Sequence, residues 1–277
     1  MGIAAQSSAP RSECRTEKFQ QKLAGYKSIE NPMKKNKKSI LLLPALALAG
    51  TLTFVQADTL EDRLKAREAK GSTRVTPEIK KAFKEGITFI DEAKIVDQAK
   101  QVGDDAPDFT LKNAVGKEIN LSDELKNGPV VLTWYRGGWC PYCNITLAAL
   151  QEELPAIKKT GATLLALTPE LPDKALTTTE KNKLEFEVLT DLNHKVAERY
   201  DLMFNLTPDV EKLYDKMFDL KSYNGKDAGT DQLPLAATYI IGQDRKIKWA
   251  FLHHDYHKRA EPKDIVKFLQ KLKKNGE

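Results

Sequence analysis

Two cysteines three residues apart, Cys140 and Cys143 in the run Cys-Pro-Tyr-Cys, carry the chemistry most plainly written in this chain. The thiolate, and not the thiol, is the nucleophile. When one sulfur is oxidised or enters a mixed disulfide, the other lies within a turn of helix, so the pair can cycle between dithiol and disulfide. A structural staple does not suit this spacing, because a cross-link stabilises mainly by closing a long loop in the unfolded chain. Half of a zinc site would need a second ligand pair, and the remaining cysteine is Cys14, far away in sequence. The histidines His253, His254 and His257 cluster as His-His-Asp-Tyr-His, yet at an exposed strand end solvation is their simpler reading. The expectation is dithiol redox chemistry with no metal and no cofactor.

Neighbouring residues say how the pair is positioned. The run 129–135 is almost continuously apolar between Gly128 and Gly137, as a strand buried on both faces would be. Gly137-Gly138 then turn the chain, and Leu147, Leu150, Leu154 and Ile157 mark one face of a helix. Cys140 therefore falls at a helix start, where unpaired N–H groups and the helix dipole favour the thiolate. C-x-x-C beside such a β–α unit reads as a thioredoxin-like redox motif. Chemistry of this kind needs both sulfurs close together and reachable; a buried pair would count against it.

Other elements follow the same logic. Short strands are expected at 109–111 and 118–121, buried strands at 162–167 and 188–189, and a helix at 171–183. Asp191 signals a short helix holding Val196 and Tyr200. Residues 204–232 read as an insertion with a helix at 208–218 and a Gly/Asn/Asp-rich loop at 222–232. Strands 237–241 and 246–252 form a hairpin around Gly242-Gln243-Asp244-Arg245, and a last helix runs from Glu261-Pro262 through Leu272. The order implies an α/β fold, a central mixed sheet flanked by helices over 102–277. Residues 58–101 form an N-terminal helical arm. Ile79, Phe83, Ile87 and Ile90 share a helical face there, so the arm is expected to pack through its second half, with 58–75 open between helix and linker.

Upstream, Lys34, Lys35, Lys37 and Lys38 precede an uncharged Leu/Ala-rich run at 40–55, closed by Val55-Gln56-Ala57. That pattern is a secretory signal peptide over 33–57, and it implies an exported, periplasmic protein, or a membrane-anchored one if the segment stays uncleaved. Residues 1–32 read as a leader of uncertain status, with Met33 a candidate start. Residues 1–57 hold nine of the 44 Lys/Arg and three of the 39 Asp/Glu, which leaves 35 against 36 for 58–277. The chain's formal charge of +5 thus belongs to its leader, and a nucleic-acid partner is not expected.

Gly103-Asp-Asp-Ala-Pro-Asp-Phe109, Gly116 and Leu121-Ser122-Asp123 resemble the opening of the alkyl hydroperoxide reductase/thiol-specific antioxidant (AhpC/TSA) branch of the peroxiredoxins. The run Trp134-Tyr-Arg-Gly-Gly-Trp-Cys-Pro-Tyr-Cys143 resembles the active-site strand and helix start of peroxiredoxin-like members with a C-P-Y-C motif. The resemblance covers about 102–272 and implies a thioredoxin-like fold and an antioxidant, thiol-dependent peroxidase. Its substrate is a peroxide and its partner a thioredoxin-like or other dithiol reductant, with a homodimer left open. In the family pattern a Pro precedes a Thr or Ser by four residues and the peroxidatic cysteine by seven. Cys143 then matches the peroxidatic position, with Cys140 at the Thr and Arg136 at the Pro. A thioredoxin reading instead makes Cys140 the attacking thiol, and both stay open.

The family's late-strand Arg is missing, since Ala236 stands in its place; Arg136 or Arg259 are candidate substitutes. Pro234 lies where thioredoxin-fold proteins tend to hold a cis-proline, an ordinary loop-to-strand proline being the plain alternative. Trp139 and Tyr142, if exposed, would line a substrate or partner surface. The competing function is an exported thiol-disulfide oxidoreductase acting on protein disulfides.

Overall fold

The computed structural model describes residues 58–73, 75–225 and 231–276. The leader expected at 1–32 and the signal peptide expected at 33–57 lie outside them. Among the described residues, no helix is long and apolar enough to cross a membrane.

The arm opens the described chain with α1 (Leu60–Ser72), α2 (Pro77–Glu92) and the single turn α3 (Ile95–Gln98). Thr59 caps α1 through a complete capping box with Asp62. Thr76 and Pro77 start α2 as the sequence suggests, its Thr side chain accepting from the Ile79 N–H. Two short antiparallel strands follow, β1 (Thr110–Asn113) and β2 (Glu118–Asn120). The second expected strand stops one residue early, because Leu121 begins a helix, α4 (Leu121–Leu125), capped by the Asn120 side chain. Then come β3 (Val130–Trp134), α5 (Pro141–Lys159), β4 (Thr163–Thr168), α6 (Pro172–Asn182) and β5 (Glu187–Thr190). A 3-10 turn and α7 (Lys195–Arg199) lead to β6 (Met203–Asn205), α8 (Pro208–Phe218), α9 (Leu220–Asn224) and β7 (Gln232–Pro234). The hairpin β8 (Thr238–Ile241) and β9 (Ile247–Phe251) and the helix α10 (Pro262–Lys274) complete the order.

One mixed sheet runs β2-β1-β5-β4-β3-β8-β9, with β3, β4 and β5 parallel to one another and the outer pairings antiparallel. Every residue of β3 and β8 is buried, as the uninterrupted apolar runs require when helices flank the sheet. The insertion is more ordered than expected. Its ends pair as a small separate sheet, β6 with β7, which a three-residue strand is too short to announce.

Both halves of the arm pack on the domain, which corrects the expectation that its second half alone would. Leu60 and Leu64 are buried against Ala149, Tyr142 and Ile145 of α5, and Arg63 makes a two-pronged bond to Glu152 at 2.8 and 2.7 Å. The first half thus lies on the helix that carries the cysteines. The second half packs α2 on α8.

Candidate active site

β3 delivers the chain to the site, and a turn at Gly137-Gly138 aims it into α5. Neither position accepts a side chain. A Cβ on Gly137, at φ 146°, would meet the Trp139 ring at 2.3 Å, and one on Gly138 would meet the Thr178 hydroxyl at 2.1 Å. Cys140 is the N-cap residue of α5, Pro141 its first residue, and Cys143 sits in its first turn. The Asn144 side chain ties the turn down by donating to the carbonyls of Gly138 (2.7 Å) and Cys140 (2.9 Å). Both cysteines are free thiols.

Two guanidinium groups stand at the sulfurs, one on each. Arg136 donates to Cys140 Sγ at 3.2 Å and to the Tyr214 hydroxyl at 2.8 Å. It is 3% exposed and lies over the rings of Trp139, Tyr214 and Tyr256, at 5.2, 5.6 and 4.3 Å from their centroids. Among the described residues no carboxylate forms an ion pair with it. A buried cation without a counter-ion is costly, so the thiolate of Cys140 is its natural partner. Arg259 donates to Cys143 Sγ at 3.7 Å and is fixed by the carbonyls of Tyr256 and Lys258. Both arginines weighed from the sequence as stand-ins for the missing family Arg thus reach the site.

These charges divide the two thiols. Burial opposes a Cys140 thiolate, but a hydrogen bond from Cys143 and the charges of Arg136 and Arg259 outweigh it and hold Cys140 well below the ordinary thiol range. Burial pushes Cys143 well up, reinforced by its hydrogen bond and charge contact with Cys140. The arrangement is a thiolate at Cys140 whose neighbour keeps its proton.

The sulfurs meet the requirement of closeness but not that of access: Cys140 and Cys143 are each 0% exposed. The covering comes from the segment between β9 and α10. There Tyr256 stacks on Arg136, His257 sits edge-on against Tyr142 at 4.6 Å, and Arg259 reaches Cys143. The histidines of this segment are part-exposed, as a strand end suggests, and each also holds a protein partner. His253 accepts from the Asp255 N–H, His257 bonds the Asp255 carboxylate at 2.7 Å, and His254 pairs with Asp91 of α2 at 3.2 Å. Trp139 is buried too, packed on Tyr214 and Phe218 beneath Arg136, so it offers no outer surface. Tyr142 remains half-buried. Pro234 is trans, since no peptide bond among the described residues is cis; it ends β7 opposite Met203 and lines a cavity beside Arg136.

Glu170 is the site residue that sequence reasoning missed. It is fully buried, and its carboxylate accepts from the Gly138 N–H at 2.8 Å and the Tyr135 hydroxyl at 2.9 Å, with the Thr168 and Thr178 hydroxyls nearby. Burial raises its pKa against the pull of these bonds. Its one sequence signal was an acid two residues beyond the end of a buried strand. Tyr214 and Tyr256 were equally hidden, because only the fold brings α8 and the segment after β9 to Arg136.

Similarity to known proteins points the same way. The AhpC/TSA family model matches residues 102–250, more than half of the chain. Peroxiredoxin Bcp of Escherichia coli (strain K12) is 26% identical over 166 residues, which are 60% of this chain and 92% of that protein. The chloroplastic peroxiredoxin Q of Sedum lineare is 29% identical over 171 residues, 62% of this chain and 78% of the relative. A crystal structure of peroxiredoxin 6 from Arenicola marina has a TM-score of 0.51 at 19% identity, covering 64% of this chain and 76% of that one, a likeness of fold.

Proposed function

Given that the chain belongs to the AhpC/TSA family, we propose that it is a thiol-dependent peroxide reductase in which Cys140 attacks and Cys143 resolves. The observation that carries the assignment is the buried Arg136 guanidinium 3.2 Å from Cys140 Sγ, with no carboxylate among the described residues to neutralise it.

The Cys140 thiolate attacks one peroxide oxygen and the O–O bond breaks. The other oxygen departs as hydroxide or alkoxide and takes up a proton, leaving as water or an alcohol. Cys140 is left as a sulfenic acid. Cys143, protonated until then, loses its proton as its sulfur attacks Cys140, and water leaves as the Cys140–Cys143 disulfide closes. An external dithiol of the thioredoxin type reduces that disulfide by exchange and is itself oxidised. Arg136 serves twice, holding the thiolate before attack and offering N–H donors to the oxygens that gain charge during it. The Cys-Pro-Tyr-Cys run is, in this reading, the whole redox centre, although the family pattern places Cys143 at the peroxidatic position.

Export belongs to the same proposal: residues 33–57 direct the chain to the periplasm and are removed before Asp58. It is supported by the sequence pattern alone: the Lys34, Lys35, Lys37 and Lys38 cluster, the uncharged run at 40–55 and the small-residue end Val55-Gln56-Ala57. N-terminal sequencing of the mature protein tests it. A homodimer is the assembly to seek by light scattering. The test of the activity is stopped-flow mixing of the reduced protein with peroxide. Oxidation many-fold faster than that of free cysteine is expected; a rate equal to free cysteine, with insulin disulfides reduced efficiently instead, would favour disulfide exchange.

A further inference from the structure

Closing the Cys140–Cys143 disulfide changes the charge of the site, and Arg136 bears the change. In the dithiol its guanidinium faces a sulfur at 3.2 Å; a disulfide sulfur has no charge to offer it. Arg136 is 3% exposed, so bulk water has almost no access to it. The acids nearby are engaged elsewhere: Glu170 accepts from the Gly138 N–H and the Tyr135 hydroxyl, and Asp91 pairs with His254. The rings of Trp139, Tyr214 and Tyr256 lie against the cation but carry no net charge. A buried ion stripped of its partner is strongly unfavourable. The oxidised protein therefore has a reason to take up an anion that the reduced protein lacks.

Arg136, which reaches Cys140, and the Tyr214 and Tyr256 rings against it also line a cavity between α2, α8 and the strand ends at Phe204 and Pro234. Two guanidinium nitrogens are already engaged, Nη2 with the Cys140 sulfur and Nη1 with the Tyr214 hydroxyl. The third, Nε, is buried and has no hydrogen-bond partner. The cavity is small, leaving about 20 Å³ for the centre of a water-sized occupant. One water needs about 10–15 Å³ by that measure, so the space holds a single water or an ion of similar size. Gly86 helps to keep it so: a Cβ there would stand 2.8 Å from a Val210 methyl, and the bare backbone lets α2 close on α8. A single-atom anion suits that space; a carboxylate, phosphate or sulfate does not.

We propose that the cavity beside Arg136 is an anion site of the oxidised protein, taking one chloride-sized ion as the Cys140–Cys143 disulfide closes and releasing it on reduction. In the reduced protein the Cys140 sulfur neutralises Arg136, and a second anion beside it is repelled. The proposal needs the disulfide and is indifferent to what oxidises the pair, so it stands apart from the peroxidase reading. With oxidised dithiothreitol as the oxidant, the Cys140–Cys143 S–S bond forms and that of the reagent breaks. Two electrons pass to the reagent, which also takes the Cys143 proton and one proton from solvent. The site loses one negative charge in this exchange, and one chloride replaces it.

The experiment is redox equilibration of the full-length protein in dithiothreitol buffers at constant ionic strength, with sodium chloride replaced stepwise by sodium gluconate, whose anion is too large for the cavity. An ion that binds only the oxidised form pulls the equilibrium toward it. For a tenfold rise in chloride the constant for disulfide formation should climb toward tenfold, lowering the midpoint potential by about 30 mV. Arg136→Met should abolish the dependence. Bromide soaked into crystals of the oxidised protein should give an anomalous-scattering peak beside Arg136 that crystals of the reduced protein lack. A constant that ignores chloride, a dependence that survives Arg136→Met, or bromide bound equally in both redox states overturns the proposal. The two wild-type measurements need no variant, so they decide it even where the Arg136→Met protein misfolds. A protein that passes them and yet meets peroxide no faster than free cysteine does keeps its anion site and loses the peroxidase reading alone.

Discussion

Replacing Arg136 by Met keeps an unbranched, apolar side chain in the aromatic cage of Trp139, Tyr214 and Tyr256 while removing the cation that faces Cys140. What is lost is a charge-assisted hydrogen bond of 3.2 Å inside a site with no exposed surface. Such bonds contribute about 1.5–3 kcal/mol, and full Coulomb attraction at that distance with an effective dielectric constant near 20 sets an upper bound of about 5 kcal/mol. Arg259 remains in both proteins compared, so the lower range applies. With about 1.4 kcal/mol per factor of ten, the thiolate-to-thiol ratio of Cys140 at a given pH should fall roughly ten- to hundredfold. The thiol's titration must then move upward, because the charged form alone loses its partner. The assay is the pH dependence of Cys140 alkylation by iodoacetamide in the Cys143→Ser background, with and without Arg136→Met. A midpoint that stays in place, or moves to lower pH, would refute the idea that Arg136 holds the thiolate.

Three further outcomes follow from other parts of the molecule. Glu170→Gln replaces an all-acceptor carboxylate by a group with one acceptor oxygen, so one donor among Gly138 N–H and the Tyr135 hydroxyl loses its bond; about 1–3 kcal/mol of stability should disappear, read by urea unfolding, together with slower peroxide oxidation. Leu64→Ala opens the buried contact of α1 with α5 and should cost about 2–4 kcal/mol of local stability; limited trypsin digestion should then cut at Lys65 and Arg67 much sooner while the domain's thermal midpoint shifts little. His194 is buried, and burial alone lowers its pKa to about 4. Its folded value lies below the unfolded one, so the unfolded chain binds the extra proton and stability is lost as pH falls from about 6.5 towards 4, by about 3 kcal/mol. His194→Asn, which tolerates the left-handed backbone at φ 58°, should flatten that slope in denaturant titrations at several pH values, and an unchanged slope would contradict the assignment.

The sheet was legible in the sequence wherever a strand is buried on both faces, because 130–134 and 163–168 are nearly all apolar. The helix boundaries at Pro77, Pro141, Pro208 and Pro262 were legible through proline at the first helical position. Much of the rest depended on partners distant in the chain. The pair β6 and β7 exists because residues 203–205 meet 232–234 across the insertion, and three residues carry no periodicity of their own. At the site, Cys140, Cys143 and Arg136 lie within eight residues and were found together. Arg259 was weighed as a stand-in for the missing family Arg, whereas Tyr256 and Glu170 come from other elements and gain meaning only once the chain is folded. The burial of both sulfurs was also invisible beforehand, since it results from a segment more than a hundred residues downstream closing over them.

Everything proposed for the site depends on Cys140 being the sulfur that takes the peroxide oxygen. Cys143→Ser and Cys140→Ser proteins, each reduced, treated with one equivalent of peroxide in the presence of a sulfenic-acid trap and read by peptide mass spectrometry, decide it directly. Nearly stoichiometric trapping on Cys140 is expected in the first variant, and little on Cys143 in the second. Rapid trapping on Cys143 in the absence of the Cys140 sulfur, with none on Cys140 when Cys143 is absent, would reverse the two roles and contradict the pairing of Arg136 with a Cys140 thiolate.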